Sequence, residues 1–133
     1  MDADDAWPRL AQAFTMPGMH RLLDARIARS RAGVTVDARL DDRFESIPGR
    51  LHGGAVASLL DTAATWALVA ETSRFFTTVD LRTDFLRPAR LGSLKAVGEV
   101  LAVGGSIARA RASLFDESGD LCAVATGTFA PVA

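Results

Sequence analysis

Asp61 is the only charged residue in an otherwise apolar or small run from Ala55 to Ala70, and two glycines, Gly53 and Gly54, stand directly before it. A carboxylate among apolar neighbours loses hydration that a partner or a reaction must replace. Three more polar residues, Ser58, Thr62 and Thr65, fall at helical spacing around Asp61, so a single narrow helix face would gather all four. That stripe is where chemistry is expected.

The first amides of a helix have no acceptor inside it and sit at the positive end of its dipole. Glycines there let another molecule approach the backbone closely. Gly53 and Gly54 could therefore polarise a carbonyl and stabilise charge developing on its oxygen. The same residues also fit a plain, tightly packed helix start, and Asp61 also fits a structural acid paired with an arginine. If both groups react, distance constrains them. Asp61 lies eight residues beyond Gly53, roughly 12 Å along a helix axis, so one carbonyl cannot touch both within one chain. A second copy, its helix antiparallel to the first, would have to lend the acid. The pattern predicts a two-fold homodimer with two shared sites.

These residues need a frame. Residues 5–14 read as a short helix with Pro8 in its first turn, broken by Thr15-Met16-Pro17-Gly18. Residues 22–31 fit helix or strand equally. After the Ala32-Gly33 turn, Val34 to Leu40 alternates as a half-buried strand, and Asp41 to Leu51 is a loop with Pro48-Gly49 as its turn signal. Beyond the central helix, Thr77–Leu86, Leu94–Val103, Ser106–Phe115 and Leu121–Phe129 read as strands, the last three joined by Gly104-Gly105 and by the turn at 116–120. Strict alternation puts Thr78 on the face of Asp80 and Arg82, opposite Val79 and Leu81. The order predicts an α+β domain, an antiparallel sheet of five to six strands wrapped around one long helix. A helical segment at 1–20 precedes this single domain at 21–133.

At 133 residues, 49% hydrophobic and with a net charge of −1, the chain is too apolar for disorder and offers no electrostatic reason to bind nucleic acid or a membrane. Its one cysteine, Cys122, sits among small apolar residues and reads as a buried thiol; the cytoplasm is the expected compartment. The acidic start, Met1 to Asp5, lacks a signal-peptide pattern. His20 and His52 share no ligand spacing, so no metal is expected, and no cofactor fingerprint is visible. Trp66 and Phe75 read as core or interface.

His52-Gly53-Gly54 with Asp61, then Thr78-Val79-Asp80-Leu81, Phe85-Leu86-Arg87-Pro88-Ala89 and the closing stretch 119–129, resembles the hotdog-fold acyl-CoA thioesterases of the phenylacetic-acid-pathway (PaaI-like) type over roughly residues 20–130. The resemblance implies a hotdog fold, no cofactor, and hydrolysis of an aromatic or medium-chain acyl-CoA. It implies that the Gly53 N–H polarises the thioester and that the partner's Asp61 is nucleophile or general base. His52 would position the thioester or the loop, and Thr78 would orient the attacking group. Leu59, Leu60, Trp66 and Phe85 are the apolar candidates for the acyl pocket. Members of the family carry an asparagine near the carbonyl where this chain has Ser46. Many carry a basic residue after the hairpin where this chain has Ser106, so CoA phosphates must be met elsewhere; Arg87 and Arg90 are candidates, with Gly54 at the helix start. The resemblance also favours a homotetramer. Two other functions compete: a non-catalytic acyl-thioester binding module, favoured by the Ser46 and Ser106 departures, and an enoyl-thioester hydratase. The hydratase typically wants aspartate a few residues before histidine, or histidine with a later glutamate, whereas here histidine precedes aspartate within one loop-helix unit.

Overall fold

The computed structural model describes residues 3–132, with side chains from Ala6 onward. Two short helices, α1 (Ala3–Phe14) and α2 (Gly18–Leu22), lead into β1 (Arg26–Arg29) and β2 (Gly33–Leu40). A 3-10 turn at Asp42–Phe44 and a small hairpin, β3 (Glu45–Ile47) with β4 (Arg50–Leu51), precede the 20-residue helix α3 (Gly53–Thr72). Four long strands follow: β5 (Phe76–Phe85), β6 (Gly92–Val103), β7 (Ala108–Phe115) and β8 (Leu121–Pro131). The main sheet has six antiparallel strands in the order β1-β2-β6-β7-β8-β5. The expected α+β, hotdog-type arrangement is what forms.

Burial of α3 explains the architecture. Val56, Leu59, Leu60, Ala63, Ala64, Leu68 and Val69 are all sealed from solvent, as a helix apolar around most of its circumference requires. Its length and hydropathy would also suit a bilayer, but here the fold itself buries most of that surface. Against it lie the inward rows of the strands: Val34, Val36, Ala38 and Leu40 from β2, Leu94 and Ala96 from β6, and Ala108, Ala110, Ala112 and Leu114 from β7. Small residues dominate because the helix backbone itself touches the sheet. A Cβ added to Gly98 on β6 would fall 2.0 Å from the Ala63 carbonyl oxygen, so any side chain there would push the helix off the sheet.

The N-terminal segment shares this core. Ala6, Leu10 and Phe14 are buried, and Phe14 meets Trp66 edge to face with centroids 5.0 Å apart. The ambiguous stretch 22–31 divides, with helix ending at Leu22 and strand starting at Arg26. Residues 41–51 hold a hairpin that alternation does not reveal, its turn at Gly49 (φ +83°) as the Pro48-Gly49 pair signals. Ser106 and Ile107 lie in the β6–β7 turn rather than in a strand. Leu59 and Leu60 are sealed in the core, so neither can line an acyl pocket in this conformation.

Cys122 is fully buried, and burial pushes its thiol above the ordinary value, with the Asp116 carboxylate adding to the shift. A thiol so placed is a poor nucleophile. Native protein at neutral pH should therefore react with a thiol-trapping dye at least tenfold more slowly than the denatured chain; equal rates would place Cys122 at the surface.

Candidate active site

The start of α3 is organised by His52. Its backbone carbonyl accepts from Ala55 N–H at 3.0 Å and Val56 N–H at 3.3 Å, while its ring Nδ1 accepts from Gly54 N–H at 2.8 Å. A ring nitrogen that accepts is unprotonated, so the neutral ring carries its proton on Nε2. Three of the four leading amides are thereby occupied. Among the described residues no acceptor meets the fourth, Gly53 N–H. Gly54 thus corrects the expectation that it offers a donor to substrate. Its missing side chain serves His52 instead, since a Cβ there would lie 3.0 Å from Nδ1. The Phe85 ring stands beside the open amide, 3.4 Å from where a Gly53 Cβ would be.

The polar stripe resolves into unlike members. Ser58 Oγ donates to the Gly54 carbonyl at 2.8 Å and Thr62 Oγ1 to the Ser58 carbonyl at 2.7 Å, the back-bonding these residues adopt inside helices. Each thereby spends its one donor on the helix itself. Asp61 is different: half-buried, it reaches off the helix and accepts at Oδ1 from Thr78 Oγ1 at 2.7 Å. No arginine among the described residues pairs with it, which removes the structural ion-pair alternative.

Thr78 reaches Asp61 because β5 does not alternate strictly. Its register with β8 slips between Thr78, opposite Phe129, and Asp80, opposite Thr128. A bulge of this kind inserts one residue and switches which face follows. Thr78 therefore faces the helix on one side of Val79, and Leu81 packs on the core on the other. The Asp80 carboxylate accepts from Thr128 N–H at 3.2 Å, across the disturbed register. The parity expectation for Thr78 is overturned by this extra residue.

Other expected residues fare unequally. Ser46 is exposed at the irregular point of the β3–β4 hairpin, and no hydrogen bond ties it to Asp61, His52 or Gly53. Arg87 is committed to Asp120, Nη1 to Oδ2 at 3.3 Å. Arg90 is exposed and lies directly across an antiparallel bridge from Arg50, which no motif in the sequence marks. Its only signal was its place two positions before His52. Trp66 is buried, as expected, whereas Phe75 is 49% exposed. Among the described residues no cluster of metal-ligating side chains occurs.

Comparison with known proteins identifies the family and the fold. A family model described as the thioesterase superfamily matches residues 48–123, which include the hairpin turn, His52, Asp61 and Thr78. The medium/long-chain acyl-CoA thioesterase YigI of Salmonella typhimurium is 37% identical over 94 residues, 59% of this chain and 61% of that protein. The matched region thus spans about three fifths of that relative's length. Among solved structures, a thioesterase family protein from Silicibacter pomeroyi is 25% identical with a TM-score of 0.82, covering 91% of this chain and 93% of its own. The E. coli PaaI protein from the phenylacetic acid degradation operon has a TM-score of 0.88 at 19% identity, covering 100% and 97%, a likeness of fold.

Proposed function

Because the chain belongs to the thioesterase superfamily, we propose that it hydrolyses an acyl-CoA thioester, with the acid and the oxyanion donor coming from two copies. The observation that carries this reading is the pairing of one open amide, Gly53 N–H, with one acid held on the same helix by Thr78. Along the axis they are roughly 12 Å apart. Neither Asp61 nor Gly53 can complete the other within one chain.

The β5 edge supports the second copy. β5 pairs with β8 on one side and, among the described residues, with no strand on the other. It is ten residues long, and Val79, Phe85 and Leu86 on and just beyond it are 57%, 55% and 56% exposed. A long unpaired edge with apolar side chains exposed along it, although Asp80, Arg82 and Asp84 also lie on the strand, invites pairing with another strand. Two β5 strands paired antiparallel would join the sheets and lay two α3 helices side by side in opposite directions. Asp61 of one copy would then approach Gly53 of the other. We extend this reading to a pair of dimers, the assembly that the resemblance in sequence implies.

In such a site the thioester oxygen sits on Gly53 N–H, within reach of Phe85. Thr78 fixes Asp61 through Oδ1, leaving Oδ2 to take a proton from water as the water oxygen bonds to the carbonyl carbon. Charge on the resulting tetrahedral oxygen is held by the Gly53 amide. The C–S bond then breaks, the proton passes from Asp61 to the departing sulfur, and the acid and coenzyme A leave. The substrate we favour is a medium-chain or aromatic acyl-CoA, in keeping with the medium/long-chain name of the Salmonella relative. A cytoplasmic setting fits a single buried thiol.

A panel of acyl-CoAs assayed with a thiol-trapping dye tests the reading. Release of free coenzyme A is expected, fastest for medium-chain or aromatic members. Saturable binding with no thiol released would make the protein a binding module. Loss of enoyl absorbance with an intact thioester would make it a hydratase.

A further inference from the structure

Arg50 and Arg90 face each other across an antiparallel bridge just before the helix that bears the open amide. The adjoining bond runs from Leu51 N–H to Ala89 O at 2.9 Å. That makes the arginines the non-hydrogen-bonded kind of cross-strand pair, whose side chains lie closest. Leu51 and Ala89 turn inward and are buried, and both arginines turn outward. Like charges placed directly opposite are destabilising unless something neutralises them. Among the described residues neither arginine has an acidic partner. The acid of the same hairpin, Glu45, is turned onto Gly49 N–H, and neighbouring Arg87 is already spent on Asp120. The pair is therefore an exposed cationic fork with no counter-charge among the described residues.

We infer that Arg50 and Arg90 form a clamp for the phosphate groups of coenzyme A. The clamp rests on the reading that a CoA thioester meets Gly53. Arg50, Leu51, His52 and Gly53 are consecutive, so the arginine backbone lies about 10 Å from the amide along extended chain. Two guanidinium groups extend that reach outward. The pantetheine arm separates the sulfur of coenzyme A from its phosphates by a distance of this order. Guanidinium groups bind phosphate oxygens in a bidentate manner, and two of them meet a doubly charged group that water and one arginine would hold weakly. Ser106, at the far hairpin, brings no charge, whereas this fork is a cationic feature three residues from the open amide.

Calorimetric titration with coenzyme A and, separately, with pantetheine, which lacks the phosphates, tests the clamp without requiring turnover. Arg50→Gln should weaken coenzyme A binding by about 10–100-fold, the worth of a charge-assisted contact, and leave pantetheine binding unchanged. Arg90→Gln should do the same, which keeps the test decisive if one variant folds poorly. Coenzyme A affinity should also fall more steeply with salt in the unmodified protein than in either variant. Unchanged coenzyme A affinity in both variants, equal losses for the two ligands, or no coenzyme A binding by the unmodified protein would overturn the clamp. The two readings separate cleanly. Thiol release with coenzyme A affinity indifferent to both arginines leaves hydrolysis standing without the clamp. Phosphate-dependent binding with no thiol released leaves the clamp standing without hydrolysis.

Discussion

Replacing Asp61 by asparagine should lower kcat by about 10²–10⁴, the range that a positioned general base contributes, while KM and thermal stability stay near their original values. The reasoning is specific to this side chain. Asparagine has the same shape, and its amide oxygen still accepts from Thr78 Oγ1, the 2.7 Å bond that orients residue 61. Only the ability to take a proton is lost. No arginine among the described residues pairs with Asp61, so the substitution strands no buried cation, the usual source of collateral damage. A variant that turned over as fast as the original would remove Asp61 from the reaction.

The second large effect is expected from Gly53→Pro. Proline deletes the amide hydrogen and puts its ring Cδ in that place, so it removes the donor and closes the position the donor would serve. It is favoured at the first residue of a helix, where its absent N–H has no intrahelical acceptor to miss. The residue before a proline must be extended, and His52 already lies at φ −59°, ψ 136°. A Cβ at 53 meets the Phe85 ring at 3.4 Å, an ordinary contact. Loss of one oxyanion donor costs about 10²–10³ in kcat, and a proline compatible with the fold holds or raises stability. Gly53→Ala, which keeps the N–H, is the control and should retain most activity. If proline were tolerated as well as alanine, the amide would have no part in catalysis.

The central helix and the sheet were legible because burial leaves a compositional trace. An unbroken apolar run from Ala55 to Ala70 has few structures open to it besides a helix enclosed by a sheet. Alternation in 34–40 and 108–115 marks strands with one face inward. The candidate site was legible in part, since an acid is costly in such a helix and the glycines before it mark a helix start, where one amide, that of Gly53, is open. What escaped the sequence has physical reasons. The β5 bulge depends on how Val79 and Asp80 oppose Thr128, a cross-strand relation with no local signature. Ser58 and Thr62 share the Asp61 stripe, but each spends its hydroxyl on the helix's own carbonyls, and spacing alone cannot distinguish that use. The use of Gly54 N–H depends on where the His52 ring lies, which sequence does not encode locally. Arg50 and Arg90 are forty residues apart, and only the folded chain sets them opposite one another.

The shared site is tested most directly by mixing the two inactive proteins, Asp61→Asn and Gly53→Pro, under conditions that allow subunits to exchange. A mixed dimer would unite the intact acid of the proline variant with the intact amide of the asparagine variant at one of its two sites. Random pairing at equal concentrations then restores about a quarter of the original activity, because half the dimers are mixed and each carries one working site. Activity that stays at the level of the two parents, with exchange confirmed, would contradict a reaction centre divided between two copies.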